Sequence, residues 1–109
     1  MAFDERLAER IRGALGRRKG VTEKKMFGGI GFLVNGNICV GIHGSELIVR
    51  ISPENTDAVL KRANTRPFDL TGRPMQGWIL VKPAGLKTAA QLGKWIDVAT
   101  KFVAALPAK

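Results

Sequence analysis

The stretch Lys24-Lys25-Met26-Phe27-Gly28-Gly29-Ile30-Gly31-Phe32-Leu33-Val34-Asn35, followed by Gly36, constrains this chain more than any other. Asn-Gly between apolar, β-branched segments is the strongest short-range hairpin signal, because a type I′ turn needs positive φ at both central positions. A strand therefore enters at Asn35, reverses and leaves after Gly36. Glycines inside such a strand weaken it unless they mark a bulge or leave room for bulky neighbours. A two-residue loop sets Val34 opposite Asn37, Leu33 opposite Ile38, Gly31 opposite Val40 and Gly29 opposite Ile42, so that each glycine faces a β-branched residue. Gly29-Ile30-Gly31 also begins like a dinucleotide-binding loop. Its third glycine position holds Val34, however, and a strand follows where a helix N-terminus would have to receive phosphate.

The rest of the chain supplies elements to flank this hairpin. Phe3, Leu7, Ile11, Ala14 and Leu15 recur at helical spacing, with Asp4 and Glu5 early and Arg10 and Arg12 late, as the helix dipole favours. This helix ends near residues 13–16. Strands are expected over residues 25–34, 38–42 and 46–51, the last rich in β-branched residues. Ser52-Pro53-Glu54-Asn55 reads as a capped start to a second helix reaching about residue 63. Residues 67–70 and 78–82 are the next extended pieces, with a turn at 71–74. Thr88 then opens a final helix whose apolar stripe is Leu92, Trp95, Ile96, Ala99, Phe102, Val103 and Leu106. The expected fold is α+β, a single domain over residues 1–109 in the order α-β-β-β-α-β-β-α, with helices packed on a five-stranded antiparallel sheet.

At 109 residues there is room for one core and no second domain. No apolar run approaches the ~18 residues that cross a bilayer, and Asp4 and Glu5 precede Leu7 where a secretion signal would be basic. The cytoplasm is the expected compartment. Cys39 stands alone, which excludes an internal disulfide and a thiolate metal cage from one chain.

Charge is lopsided, with 18 Lys and Arg against 9 Asp and Glu, a net +9. The excess clusters at Arg10, Arg12, Arg17, Arg18, Lys19, Lys24 and Lys25, answered only by Glu23. Such a stripe suits phosphate contacts, and it equally suits a solvated face that keeps a small domain soluble. Arg17, Arg18, Lys19, Lys24 and Lys25 are the candidate anion contacts. Binding through them would be weak and indifferent to sequence, since no helix carries the spacing that reads base edges.

No reactive constellation emerges. His43 and Cys39 lie on one expected strand and on one face, but four residues at ~3.3 Å each separate them by ~13 Å, beyond hydrogen-bond reach. Asp4, Glu5, Glu54 and Asp57 suit helix starts, and no acidic or histidine pair has metal-ligand spacing. Ser45 is a turn residue and Ser52 a cap. No enzyme activity, cofactor or metal is expected. Asp69, in Pro67-Phe68-Asp69, and Arg73, in Gly72-Arg73-Pro74-Met75, lie on segments that flank an expected hairpin and fit a local interaction or a small polar site. Arg50, in an otherwise apolar strand, fits either a buried partner for a carboxylate or a recognition residue on the sheet.

Together Lys25-Met26-Phe27-Gly28-Gly29-Ile30-Gly31-Phe32, Asn35-Gly36, Leu47-Ile48-Val49-Arg50, Pro67-Phe68, Met75 with Trp78, and Leu92 with Trp95 resemble the N-terminal domain of the TfoX/Sxy proteins. The resemblance spans nearly the whole chain, and its motif residues are Met26, Phe27, Gly28, Gly29, Gly31, Phe32, Arg50, Pro67, Phe68 and Trp95. It implies a five-stranded sheet of the type III secretion chaperone-like kind. It also implies regulation of competence and transcription by contact with a protein such as a transcription regulator, with no catalytic residues established. A second copy of the chain is a further expected partner. The full-length regulators add a C-terminal domain, whereas this sequence stops at Lys109, and Ile48 stands where the family commonly has Tyr.

Overall fold

The structure, a computed structural model, describes residues 4–16, 20–26, 28–69 and 75–107. It is α+β, as expected, with six strands instead of five. Helix α1 (Glu5–Leu15) leads to strands β1 (Val21–Met26), β2 (Gly29–Val34), β3 (Asn37–His43) and β4 (Glu46–Arg50). A 3₁₀ turn at Pro53–Asn55 and the short helix α2 (Thr56–Val59) follow, then β5 (Thr65–Pro67), β6 (Trp78–Val81), a 3₁₀ turn at Pro83–Gly85 and α3 (Ala89–Ala104). The sheet is antiparallel throughout in the order β1-β2-β3-β4-β6-β5.

The additional strand arises inside the glycine segment. The expected strand over 25–34 is two, because the chain reverses between Met26 and Gly29, which pair across the turn, and Gly28 sits at φ 71°. A side chain rarely adopts that backbone, so glycine is the residue for the position. Phe27 lies outside the described residues. The Asn35-Gly36 turn is as expected, with φ of 53° and 81°.

The expected register holds for two pairs, Val34 with Asn37 and Leu33 with Ile38. A bulge then inserts Cys39, so Phe32 pairs with Val40, Gly31 with Gly41 and Ile30 with Ile42. Gly31 therefore does not accommodate Val40. The space over it is taken by the Met26 side chain, which a Cβ at Gly31 would strike. The bulge also turns the successive residues Cys39 and Val40 both into the main core.

That core lies between the sheet and the helices. Phe32, Val40, Ile42, Leu47, Val49, Ile79 and Val81 meet Leu92, Trp95, Ile96, Ala99 and Val103 of α3 and Leu7, Ala8, Ile11 and Leu15 of α1. α3 lies on β3 and β4, and α1 packs on α3. The α3 stripe is as its spacing indicates, with Phe102 and Leu106 half-buried at its end, and Thr88 and Gln91 close a capping box. Ala14, expected in the α1 stripe, is exposed, and Phe3 lies outside the described residues. Asp4 caps α1 by accepting from the Leu7 amide at 3.1 Å.

The second helix is much shorter than expected. Ser52 makes no side-chain cap bond. Thr56 holds the segment instead: its buried hydroxyl donates to the Pro53 carbonyl and accepts from the Gly77 amide, both at 2.8 Å. On the other face of the sheet, Ile48, Leu80 and Phe68 form a small second cluster with Trp78 against it. Phe68 follows β5, which runs earlier and shorter than expected and ends at Pro67. Proline is tolerated there because β5 is an edge strand.

Candidate functional site

The basic N-terminal stripe divides in the folded chain. Arg10 on α1 is a tether: its Nη2 donates to the Leu86 carbonyl at 2.6 Å and the Thr88 carbonyl at 3.3 Å, holding α1 to the approach of α3. Arg12 forms a two-pronged bridge to Glu23 of β1, with Nε to Oε2 at 2.7 Å and Nη2 to Oε1 at 2.8 Å. That hydrogen bonding raises the Arg12 pKa and holds the Glu23 carboxyl below the usual carboxylate range. Both side chains are largely exposed, so the bridge contributes little to stability. It does remove one cation and one carboxylate from the stripe.

What remains cationic on β1 is Lys24 and Lys25, both exposed. Adjacent strand residues point to opposite faces. Lys25 pairs with Ile30 and shares the helix-bearing face, and Lys24 pairs with Gly31 and lies on the other. Arg17, Arg18 and Lys19 lie outside the described residues. Of the five candidates only Lys24 and Lys25 fall within the described residues, and those two project on opposite faces of β1.

Arg50 lies at the other end of the strands, on β4, and its surroundings differ from those of a buried partner for a carboxylate. The β3–β4 ladder ends at the Val40–Val49 pair, leaving Ile38 beyond it. Arg50 Nη1 donates to the Ile38 carbonyl at 3.3 Å. Its guanidinium carbon lies 5.3 Å from the Trp78 ring centre and 5.7 Å from that of Phe102. Among the described residues its partners are two aromatic faces and a carbonyl, with no carboxylate. The side chain joins the sheet to the C-terminal end of α3 and is half-buried.

Sequence spacing gave no sign of a further ion pair. Arg66 of β5 reaches across β6 to Glu46 of β4, with Nη2 to Oε1 at 2.6 Å and Nε to Oε2 at 2.7 Å. It holds the Glu46 carboxyl below its ordinary range, and the Arg66 pKa rises in return. Arg66 also lies 3.5 Å from Asp69. The expected Asp69–Arg73 interaction falls outside the described residues at Arg73.

Cys39 and His43 do not share a face. The bulge turns fully buried Cys39 into the main core. His43 follows inward-facing Ile42, pairs with Glu46 and lies half-buried on the other face. Among the described residues no three His, Cys, Asp or Glu side chains converge on a metal-sized site, and no helix is long and apolar enough to cross a membrane.

The motif residues that carry the resemblance go mainly into architecture. Gly28 turns the β1–β2 hairpin, Met26 covers Gly31, and Gly29 and Phe32 are buried in β2. Pro67 ends an edge strand, Phe68 fills the second cluster, and Trp95, 9% exposed, packs in the main core with Arg62 5.5 Å from its ring. No curated protein and no solved structure matches the chain. The family model of the TfoX N-terminal domain matches residues 14–103, and the chain therefore belongs to that family.

Proposed function

We propose that this chain is a non-enzymatic regulatory domain that works by binding another protein. The observation that carries the reading is where its distinctive residues are used. The described motif glycines and Phe32 shape the sheet, Phe68 and Trp95 fill the clusters on its two faces, and the lone cysteine, the most nucleophilic side chain type present, is fully buried in the core. A buried thiol in apolar surroundings is inert, so the chemistry on offer is that of surfaces. Family resemblance extends the proposal to a transcription regulator as partner, to a role in competence and to the cytoplasm as the place of action. A homodimer is a further form the partner can take.

A second reading, an accessory nucleic-acid-binding protein, is favoured by the exposed Lys24 and Lys25 on a chain of net charge +9. Charge of this kind gives salt-sensitive attraction to phosphates without sequence preference. Affinity capture of the tagged chain from its native cell, with nuclease-treated and untreated lysates side by side, tests both. A stoichiometric partner retained after nuclease supports the protein-contact reading. Loss of every partner on nuclease treatment overturns it in favour of the second.

A further inference from the structure

The strand at one end of the sheet carries a specific consequence. β1 is terminal, and among the described residues nothing pairs with its outer side. The Gly20 carbonyl accepts from the Asn35 amide at 2.9 Å, and Met26 and Gly29 close the two-residue turn at the far end. Antiparallel partners alternate between bonded and non-bonded pairs, which assigns Thr22, Lys24 and Met26 to the ladder with β2. The amides and carbonyls of Val21, Glu23 and Lys25 then point away from the sheet. The other edge is blunted: β5 has three residues, ends in proline, and has its arginine engaged by Glu46.

We infer that the outer edge of β1 is the docking site for an extended, acidic segment of a partner protein, which adds to the sheet as a seventh strand. The inference rests on the protein-contact reading above and names the partner's chemistry. Main-chain bonds to Val21, Glu23 and Lys25 supply the attachment, as in other strand-addition complexes. Lys24 and Lys25 project on the two faces of β1, while Glu23 is already met by Arg12, so the edge is positive on both faces. A carboxylate on the added strand opposite either lysine stands at cross-strand contact distance.

A second copy of this chain fits the edge poorly. Two-fold antiparallel pairing of β1 with itself sets a residue opposite its own copy. The registers centred on residues 23, 24 and 25, which use most of the strand, therefore oppose Glu23 to Glu23, Lys24 to Lys24 or Lys25 to Lys25; the one centred on 24 also sets Glu23 opposite Lys25, but that carboxylate is already bridged by Arg12. Like charges directly opposite are destabilising. A nucleic acid would meet the lysines and leave the outward carbonyls without donors.

The test is titration of the full chain with a short capped peptide alternating glutamate and valine, followed by amide hydrogen exchange. The expected result is binding, with exchange at Val21, Glu23 and Lys25 slowed by about ten-fold or more. Lys25→Pro removes an outward N–H while leaving the β2 ladder intact, and should bind about ten-fold more weakly than Lys25→Gln, which removes charge alone. Lys24→Glu with Lys25→Glu, two surface changes that the fold tolerates, should abolish binding. Equal affinity of Lys25→Pro and Lys25→Gln overturns the inference. So does exchange slowing that appears without peptide as protein concentration rises, or that a random DNA duplex reproduces. In the lysate capture, a nuclease-resistant partner that still binds Lys25→Pro overturns this edge while leaving the protein-contact reading intact. Absence of any such partner on the unaltered chain refutes that reading itself.

Discussion

Replacing Arg50 gives the most direct measurement of how the two ends of the fold are joined. Its guanidinium lies within 6 Å of two ring centres, at 5.3 Å for Trp78 and 5.7 Å for Phe102. Where solvent reaches the pair each such contact is worth about 0.5–1 kcal/mol, a lower bound for half-buried Arg50. The bond to the Ile38 carbonyl, long at 3.3 Å, adds about 1 kcal/mol, below the upper range for charged donors. Arg50→Ala should therefore destabilise the protein by about 2–3 kcal/mol. For a chain near 100 residues this lowers Tm by roughly 10 °C or more. Arg50→Lys keeps the charge and loses the planar face, and should recover only about half of the loss. Urea unfolding followed by far-ultraviolet circular dichroism is the suitable assay, because Trp78 fluorescence would respond to Arg50 directly. A Trp78→Leu/Arg50→Ala double-mutant cycle isolates the contact with the Trp78 ring. If Arg50→Ala lies within about 0.5 kcal/mol of the parent, as for an unengaged surface residue, the assignment of Arg50 as a join between sheet and helix is wrong.

Three other outcomes follow from the packing and charge. Trp95→Ala removes a core side chain and should cost roughly 3–5 kcal/mol by denaturant midpoint; a cost below about 1 kcal/mol would place Trp95 outside the core. Gly41→Ala should cost more than Gly31→Ala, because a Cβ at Gly41 meets the backbone oxygen of Ile30 at 2.9 Å, whereas at Gly31 it meets the movable Met26 side chain. Met26→Ala should rescue Gly31→Ala alone, which a two-by-two set of melts will read. Arg66 holds the folded-state pKa of Glu46 below its unfolded value, so the ion pair stabilises above about pH 4.3, the ordinary carboxylate value, and is lost as pH falls through the folded value. Glu46→Gln should flatten that acid limb of the stability profile, and an unchanged limb would mean that the pair is not maintained in solution.

Legibility in the sequence follows from the range over which each signal acts. α3 was fully readable, since its stripe and its Thr88 cap are local patterns that tertiary packing reinforces. The Asn35-Gly36 turn was readable for the same reason. β1 was not, because the segment from Val21 to Met26 is solvent-facing along most of its length and offers no apolar alternation. The glycines beside it read as notches in one long strand, whereas Gly28 marks the turn that divides it. The bulge at Cys39 has no spacing signal, yet it reverses the relation of Cys39 to His43 and shifts Gly31 away from Val40. Arg50 and Arg66 were undecidable for a different reason. Their partners lie on elements remote in sequence, Trp78 and Phe102 for one and Glu46 for the other. A single chain read linearly contains nothing that brings those residues together.

The position of α1 bears on how this family's boundaries can be used at the bench. Leu7, Ala8 and Ile11 are buried in the main core, Arg10 ties the helix to the Leu86 and Thr88 carbonyls, and the Asp4 amide donates to the Gly44 carbonyl at 2.8 Å. Asp4, Leu7, Ala8, Arg10 and Ile11 all precede residue 14, where the family match begins. At the other end the buried Asn37 side chain donates to the carbonyl of Pro107, past residue 103. A recombinant fragment cut at 14 and 103 would thus uncover the flank of α3 that Leu7 and Ile11 shield and orphan the Asn37 amide. Such a fragment would aggregate or fail to accumulate. An interaction screen run with it would report on a sticky, half-built core, so libraries of these domains are better trimmed by packing than by profile edges.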